Sequence, residues 1–419
     1  MDNKIFLKRR ADIQSNLASS DVAILFAAKQ MHRNADTEYL FRQNSDFYYC
    51  TGFKEQDAIL VFYSEQCILF CNDKDLNYEL WNGERFGVEK AKELLQVDMC
   101  YSLDHFEEKI QSYMIDSKSE IYLAGDSWEI DKFRFKNKIL NYKSLSNIIA
   151  KYRLIKSNEE ISLVQTAVDI SVKAHELVMQ NAYPGMFEYE ALAEFIYHTT
   201  KSSCNELAYP AIVAGGSRAC TLHYVDNDKK IENNQLLLID AGAEYSMYAA
   251  DITRTFPVNG KYTSAQADIY SVVLESQLAA IKTVKPGVTL LDVQDAVLKV
   301  IVPALKELSL LKESEDEIYS KHLYRKYYPH SVSHWLGLDV HDAGEYKKDK
   351  KDILLQENML ITVEPGLYIP ENDFTAPKEF RGIGIRIEDD IQIINNGAKN
   401  LSEKLVKSID GIESLMSKH

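Results

Sequence analysis

"QLLLIDAGAEYSMYAADITRTF", residues 235–256, runs from an apolar segment into one acid, Asp240, turns through small residues, and returns through a second acid, Asp251. A tight turn around Tyr245 and Ser246 is expected to close this stretch into a hairpin. That register sets Asp240 directly opposite Asp251 on one face, with Cβ atoms about 4.5–5.5 Å apart. Two like charges so placed among apolar neighbours are costly unless a shared proton or a divalent cation compensates them.

A second region repeats the pattern. "NMLITVEPG" (358–366) runs apolar into Glu364, and "GIGIRIEDD" (382–390) carries Glu388, with Arg386 two positions earlier on the same strand face. Four carboxylates at the ends of apolar strands call for about four positive charges. Two divalent cations supply them, and in one shared site, with ions roughly 3.5–4 Å apart, the carboxylates can bridge. The likeness of the two regions points to two related half-domains that build one acidic site.

Between them lies "HSVSHWLGLDVHD" (330–342), which holds three of the ten histidines: His330, His334 and His341. Four acids plus three imidazoles would overfill two ions that must also admit water and substrate. One histidine is therefore expected as a ligand and two as helpers. On a helix His330 and His334 would share a face and His341 would not. The sequence contains no HExxH, which argues against a mononuclear zinc-protease helix. Oxygen-rich sites with one imidazole suit manganese, magnesium, cobalt or iron, with zinc admitted by affinity.

Outward from these stretches, 419 residues are too many for one ordinary core, so two domains are expected, 1–154 and 155–419. The first alternates β-rich runs, at 22–29, 57–64, 66–72 and 119–125, with helical stretches such as "FEEKIQSYMI" (106–115), and is expected to be a small α/β domain. The second opens on Ser157 with Glu160 three residues later, a capping-box pattern. Apolar residues then recur at helical spacing, and His175 on that stripe is expected in the core. Helices are expected at 265–283 and 290–312, with β-rich runs at 236–258, 359–369 and 381–394. "ESEDE" (313–317) and "KKDKKD" (347–352) read as solvated turns.

The net charge of −15 argues against nucleic acid as a partner. No apolar stretch reaches the roughly 20 residues of a membrane span, and no signal-like core follows the basic start, so a cytoplasmic protein without membrane contact is expected. Six cysteines without a CxxC pattern are expected to be reduced.

The signature "HSVSHWLGLDVHD", with "LIDAGAEYSMYAADITRTFPV", "TVEPGLYI" and "GIGIRIEDD" in this order, resembles the Xaa-Pro aminopeptidase and prolidase group of the pita-bread metallopeptidases. "AIVAGGSRACTLHYVDN" (211–227) resembles the segment carrying a further active-site histidine, here His223. "ADTEYLFRQNSDFYYCTGF" (35–53) resembles the domain that precedes the catalytic one in aminopeptidase P. The resemblance implies an α/β (α+β) architecture, a small N-terminal α/β domain followed by a C-terminal pita-bread domain with two pseudo-symmetric halves.

It also implies a role for each residue. Asp240 chelates one metal, Asp251 and Glu388 bridge both, and His334 and Glu364 complete the second, with the nucleophile held between the ions. His223, His330 and His341 line the substrate side, Tyr368 and Arg386 orient the centre, and Glu364 carries a proton to the departing nitrogen. Trp81, in "ELWNGERFG", matches a position that reaches a neighbouring subunit's site. The family's active-site arginine near 350 is absent, with Lys350 as its candidate substitute. The implied cofactors are two divalent ions, manganese first and zinc, cobalt or iron as alternatives. The implied substrates are peptides with proline second, and the implied assembly is a homodimer or homotetramer. An Xaa-Pro dipeptidase is the alternative activity, followed by a non-catalytic binding protein of the same fold.

Overall fold

The computed structural model describes residues 2–114, 120–204 and 206–417. The chain divides into two compact units, Met1–Arg153 and Leu154–His419. Among the described residues no helix is long and apolar enough to cross a membrane.

In the N-terminal unit the β-rich runs form a six-stranded mixed sheet, in the order Met99–Ser102, Gln66–Cys71, Ile59–Tyr63, Val22–Phe26, Ile121–Ala124, Lys143–Ser144. Ile115 and Ser119, at the edges of two expected runs, lie outside the described residues. Tyr63 pairs with Gln66, leaving a two-residue turn in which Ser64 and Glu65 both have positive φ, 49° and 62°. Such a turn matches the twist of the strands it joins. Val22, Ile24, Phe26, Val61, Ile68 and Phe70 pack against Phe106, Ile110 and Phe133 of the flanking helices. All six cysteines are free thiols.

The C-terminal unit opens as its capping pattern requires. Ser157 Oγ accepts from the Glu160 amide at 3.3 Å and Glu160 Oε2 from the Ser157 amide at 2.9 Å, starting the helix Asn158–Asn181. His175 on its buried stripe is fully buried, with Nε2 3.1 Å from the Ala241 carbonyl. That helix packs on Glu188–Lys201, and the chain continues into a sheet ordered Thr253–Pro257, Leu236–Asp240, Ile212–Gly215. The plan then recurs. Helices Ser264–Thr283 and Leu290–Glu307 pack together, followed by the sheet Leu360–Val363, Asp389–Ile394, Gly397–Asn400 and the pair Gly366–Ile369 with Ile383–Arg386.

Two expectations change here. "ESEDE" overlaps a short helix, Glu315–Ser320, capped by Ser314 with its three acids in the first turn, where the helix dipole favours them. "KKDKKD" is a small hairpin, Lys347–Lys348 against Lys351–Asp352, turning at Asp349 and Lys350 with φ of 50° and 65°.

Candidate metal centre

The hairpin that carries the first two acids is registered differently from expectation. Asp240 pairs with Thr253, Glu244 with Ala249 and Tyr245 with Tyr248, so the turn residues are Ser246 and Met247, with φ of 51° and 75°. Asp240 is therefore not opposite Asp251. Carried between the paired strands, this register sets Asp251 opposite Gly242, two residues from Asp240 and on the same face. The two carboxylates still meet: the Tyr209 hydroxyl lies 2.6 Å from Asp240 Oδ1 and 2.6 Å from Asp251 Oδ1.

In the second half the acids are directly opposed. Val363 pairs with Asp389 and Gly366 with Arg386, and this register carried across the break between them sets Glu364 opposite Glu388. The break frees both side chains from the regular ladder at the edge of two buried strand pairs.

The histidine stretch is not helical. It runs as an irregular loop that touches the sheet through a bridge between Trp335 and Ile361, so the shared helix face of His330 and His334 does not exist. The loop instead brings His334 and His341 together, with ring centroids 4.3 Å apart. His334 Nδ1 lies 3.0 Å from the Trp335 carbonyl, which fixes that nitrogen as the donor. Nε2 then points at the acids, 3.4 Å from Asp251 Oδ2 and 3.5 Å from Glu364 Oε1. His330 Nδ1 likewise faces the Ser331 carbonyl at 2.8 Å, leaving Nε2 to accept from the Tyr368 hydroxyl at 2.8 Å.

Asp251, His334 and Glu388 each offer a ligand atom, all within 4.8 Å of one another. Glu364 adjoins this group through His334, and Asp240 through Tyr209. Arg386 is buried and reaches Asp240 Oδ2 at 2.5 Å, the Tyr368 hydroxyl at 3.0 Å and Thr253 Oγ1 at 3.2 Å. Thr253 in turn donates to Glu388 Oε2 at 2.6 Å.

The electrostatics show what this arrangement needs. Burial, with Asp251 and Glu364 nearby, holds the Glu388 carboxyl well above the usual range. Burial also raises Asp251, against the opposing bond from His334, and lifts Glu364 from 4.5 to about 7. His334 is opposed by burial, but its bond to Asp251 and the field of Glu364 carry it to about 9. Four carboxylates thus face the single fixed charge of Arg386, and protons make up part of the deficit. An oxygen-rich donor set with one oriented imidazole and a shortage of positive charge fits divalent cations.

These four acids and His334 line an open cavity of about 1160 Å³ whose lining residues all belong to the C-terminal unit. His223, His330 and His341 are on its wall, as are Lys347 and Asp352. Lys350 sits at the exposed tip of its turn, outside that lining. Trp81 belongs to the N-terminal unit, 84% exposed on the helix Leu76–Asn82 beside exposed Leu76 and Leu80, and does not line the cavity. Burial lowers the His330 pKa to about 4, which keeps it neutral, and lowers that of His341 as well.

Sequence patterns did not single out Tyr209, Thr253 or Asp390. Asp390 is fully buried and accepts the Asp251 amide at Oδ2 at 3.0 Å. Its place in "IEDD", two residues after Glu388, was the available signal. Tyr209, in "LAYPAI", carried none.

The profile of metallopeptidase family M24 matches residues 162–395, and that of the aminopeptidase P N-terminal domain matches residues 6–122. The chain belongs to metallopeptidase family M24, and its C-terminal unit has the pita-bread fold of that family. It is 38% identical to the Xaa-Pro aminopeptidase of Escherichia coli K12, over 98% of this chain and 97% of that one. It is 34% identical to Xaa-Pro aminopeptidase 3 of Homo sapiens, over 99% and 84%. Among solved structures, proline aminopeptidase P II from Yersinia pestis superposes with a TM-score of 0.94 at 38% identity, covering 99% of both chains. Membership in the family implies divalent metal ions at this centre.

Metal removal has a predicted signature. In the metal-free chain the raised Glu364 contributes stability that is present below about pH 4.5 and lost as pH rises through about 7. The raised His334 contributes in the same sense, present below 6.5 and lost through about 9. Below pH 6.5 the buried, neutral His175 and His330 work in the opposite sense, so the melting temperature of chelated protein is expected to fall from pH 6.5 to 9, and added divalent metal to restore most stability at the alkaline end. A chelated protein whose melting temperature stays level or rises over that range would contradict this charge balance.

Proposed function

We propose that this chain is a dinuclear metal-dependent aminopeptidase that releases the N-terminal residue from peptides whose second residue is proline. The observation that carries the reading is the convergence of ligand atoms of Asp251, His334 and Glu388 within 4.8 Å in the lining of a cavity open to solvent. The family membership and the named activity of the relatives support it.

In this reading Asp240 would hold one ion, His334 and Glu364 the other, and Asp251 and Glu388 would be shared between them. Manganese is the proposed metal. When bound, two such cations polarise a peptide carbonyl and lower the pKa of water enough to supply a nucleophile near neutral pH. The protein supplies the rest. Arg386 and Thr253 fix the orientation of Asp240 and Glu388, and Tyr209 holds Asp240 and Asp251 at a constant spacing.

His341 or His223 donates to the oxygen of the tetrahedral centre. Neutral His330, held by Tyr368, gives the proline ring an apolar edge to pack on. Glu364, with a carboxyl that burial has already made more basic, passes a proton to the departing nitrogen. The substrate's proline nitrogen has no hydrogen of its own, so this delivery completes the leaving amine.

The cavity also bears on substrate length. About 1160 Å³ is above the roughly 300–1,000 Å³ of ordinary small-molecule sites, room for more than a dipeptide. This favours an aminopeptidase over a strict dipeptidase. One solved relative, aminopeptidase P from Escherichia coli, is described with the inhibitor Pro-Leu. A cytoplasmic location, a homo-oligomeric state and the absence of nucleic-acid or membrane partners belong to the same proposal.

The test is hydrolysis of Arg-Pro-Pro against Ala-Pro by protein stripped with chelator and then given manganese. Manganese-dependent cleavage of the tripeptide with little of the dipeptide is expected. Cleavage of the dipeptide alone would replace the reading with a dipeptidase.

A further inference from the structure

We propose that Lys156 is a positioning residue, which sets His341 against His334 through a buried ion pair with Asp342. Lys156 Nζ lies 3.0 Å from Asp342 Oδ2, and each side chain is only 1% exposed. Lysine is among the residues least often fully buried, and burying it is costly unless a partner of opposite charge is fixed beside it. Asp342 is such a partner, and it directly follows His341 in the chain.

The pair is held at both ends. The Lys156 amide donates to the Asn358 carbonyl at 2.9 Å, at the entry to the strand Leu360–Val363. The Asp342 amide donates to the Trp335 carbonyl at 2.9 Å, which closes the loop between the two histidines into a ring of main chain. Inside that ring the Asp339 amide faces Asp342 Oδ1 at 3.3 Å.

Gly337 explains why the geometry has one solution. A Cβ there would lie 2.3 Å from Asp342 Oδ2 and 2.9 Å from Lys156 Cε, so the ion pair occupies the space a side chain would need. The Gly337 carbonyl accepts the Ala249 amide at 2.9 Å, which ties the loop to the hairpin arm leading to Asp251. The loop therefore carries His334 at one end and His341 at the other, with Lys156 and Asp342 beneath it. Without the ammonium, Asp342 Oδ2 loses the cation that faces it while the side chain stays buried. Turning it toward water moves the adjacent His341 away from its place 4.3 Å from His334.

The inference rests on the aminopeptidase reading, in which His341 faces the scissile bond. The test is a double-mutant cycle on Arg-Pro-Pro with Lys156→Met and His341→Ala, alone and combined, with metal content measured in each. Lys156→Met is expected to lower kcat between about tenfold and a hundredfold, as a displaced catalytic group does, with the metal content unchanged. In the His341→Ala background it is expected to cost almost nothing more.

A purely structural role would lower both backgrounds by the same factor, and that additive outcome would overturn the proposal while leaving the aminopeptidase reading intact. An active wild type that is indifferent to His341→Ala would remove the premise as well. Should Lys156→Met fail to fold, Asp342→Asn keeps the side-chain volume, removes the charge and carries the same cycle with the same two outcomes.

Discussion

Glu388→Gln is expected to lower kcat on Arg-Pro-Pro by a factor on the order of a thousand or more, since even outer-shell partners of metal ligands cost 10–100-fold when lost. The substitution keeps the size of the side chain, so packing is not the cause. Oε2 of Glu388 already accepts from Thr253, and the rest of the carboxylate must carry the charge that two cations share. A neutral amide cannot bridge them, and its NH2 group would turn a donor toward either Thr253 or the metals. Asp251→Asn is expected to act alike, since Asp251 lies between His334 and Tyr209 in the same cluster. Turnover and metal stoichiometry measured on the same preparations check this. Near-wild-type activity with two ions still bound would end the bridging role assigned to these two carboxylates.

The second large effect concerns stability. Arg254 is fully buried among groups that all accept from it. Nη2 meets Asp389 Oδ1 at 2.7 Å and the Leu405 carbonyl at 3.0 Å, and Nη1 meets the carbonyls of Glu388 at 2.6 Å and Thr253 at 3.0 Å. Asp389 also takes Lys407 at 2.5 Å, Gln277 at 2.9 Å and Ser402 at 2.7 Å. These donors hold its carboxyl well below the usual range against the opposing effect of burial. Arg254→Met removes one member of this network and leaves several carbonyls without a donor. Breaking a buried pair from one side costs about 3–5 kcal/mol. For a unit of this size that is a drop in melting temperature of about 6–20 °C. Because the guanidinium also holds the Glu388 main chain, weaker metal retention is expected to accompany the drop. A melting temperature within about 2 °C of wild type would show that the network contributes far less than its burial implies.

Much of the fold was legible because its signals are local. The capping box at Ser157, the alternation of apolar runs in the N-terminal unit and the recurrence of an apolar strand ending in an acid all depend on neighbours in sequence. Asn358 illustrates the same point. It precedes the apolar run of Leu360–Val363 and has φ of 67°, a left-handed conformation that asparagine tolerates better than most residues.

The register between Asp240 and Asp251 was not legible, because "EYSM" offers no glycine or asparagine to mark the two turn positions. Ser246 and Met247 adopt positive φ although neither residue type announces it. Nor was the coil of the histidine loop, whose helical spacing is overridden by the bridge from Trp335 to Ile361. Residues that act by pairing across long separations, such as Tyr209, Arg254 and Lys156, leave no mark in sequence. Their roles exist only once tertiary structure has brought a partner within reach.

The ladder geometry around the acids also restricts where this chain can change in length. Asp251 reaches the face of Asp240 only because the number of residues in each arm of its hairpin is fixed, and one residue added within an arm would turn every later side chain of that arm to the other face. Gly242 leaves no slack there, since even a methyl group would collide with the Ala250 carbonyl. The tip at Ser246 and Met247 lies beyond the paired residues, and the connection from 370 to 382 between the strands flanking Glu364 and Glu388 spans a stretch outside the ladder. Insertions and deletions among related chains should accumulate at those two places and be absent from the arms, a pattern set by counting along the backbone and independent of which metal or substrate each chain uses.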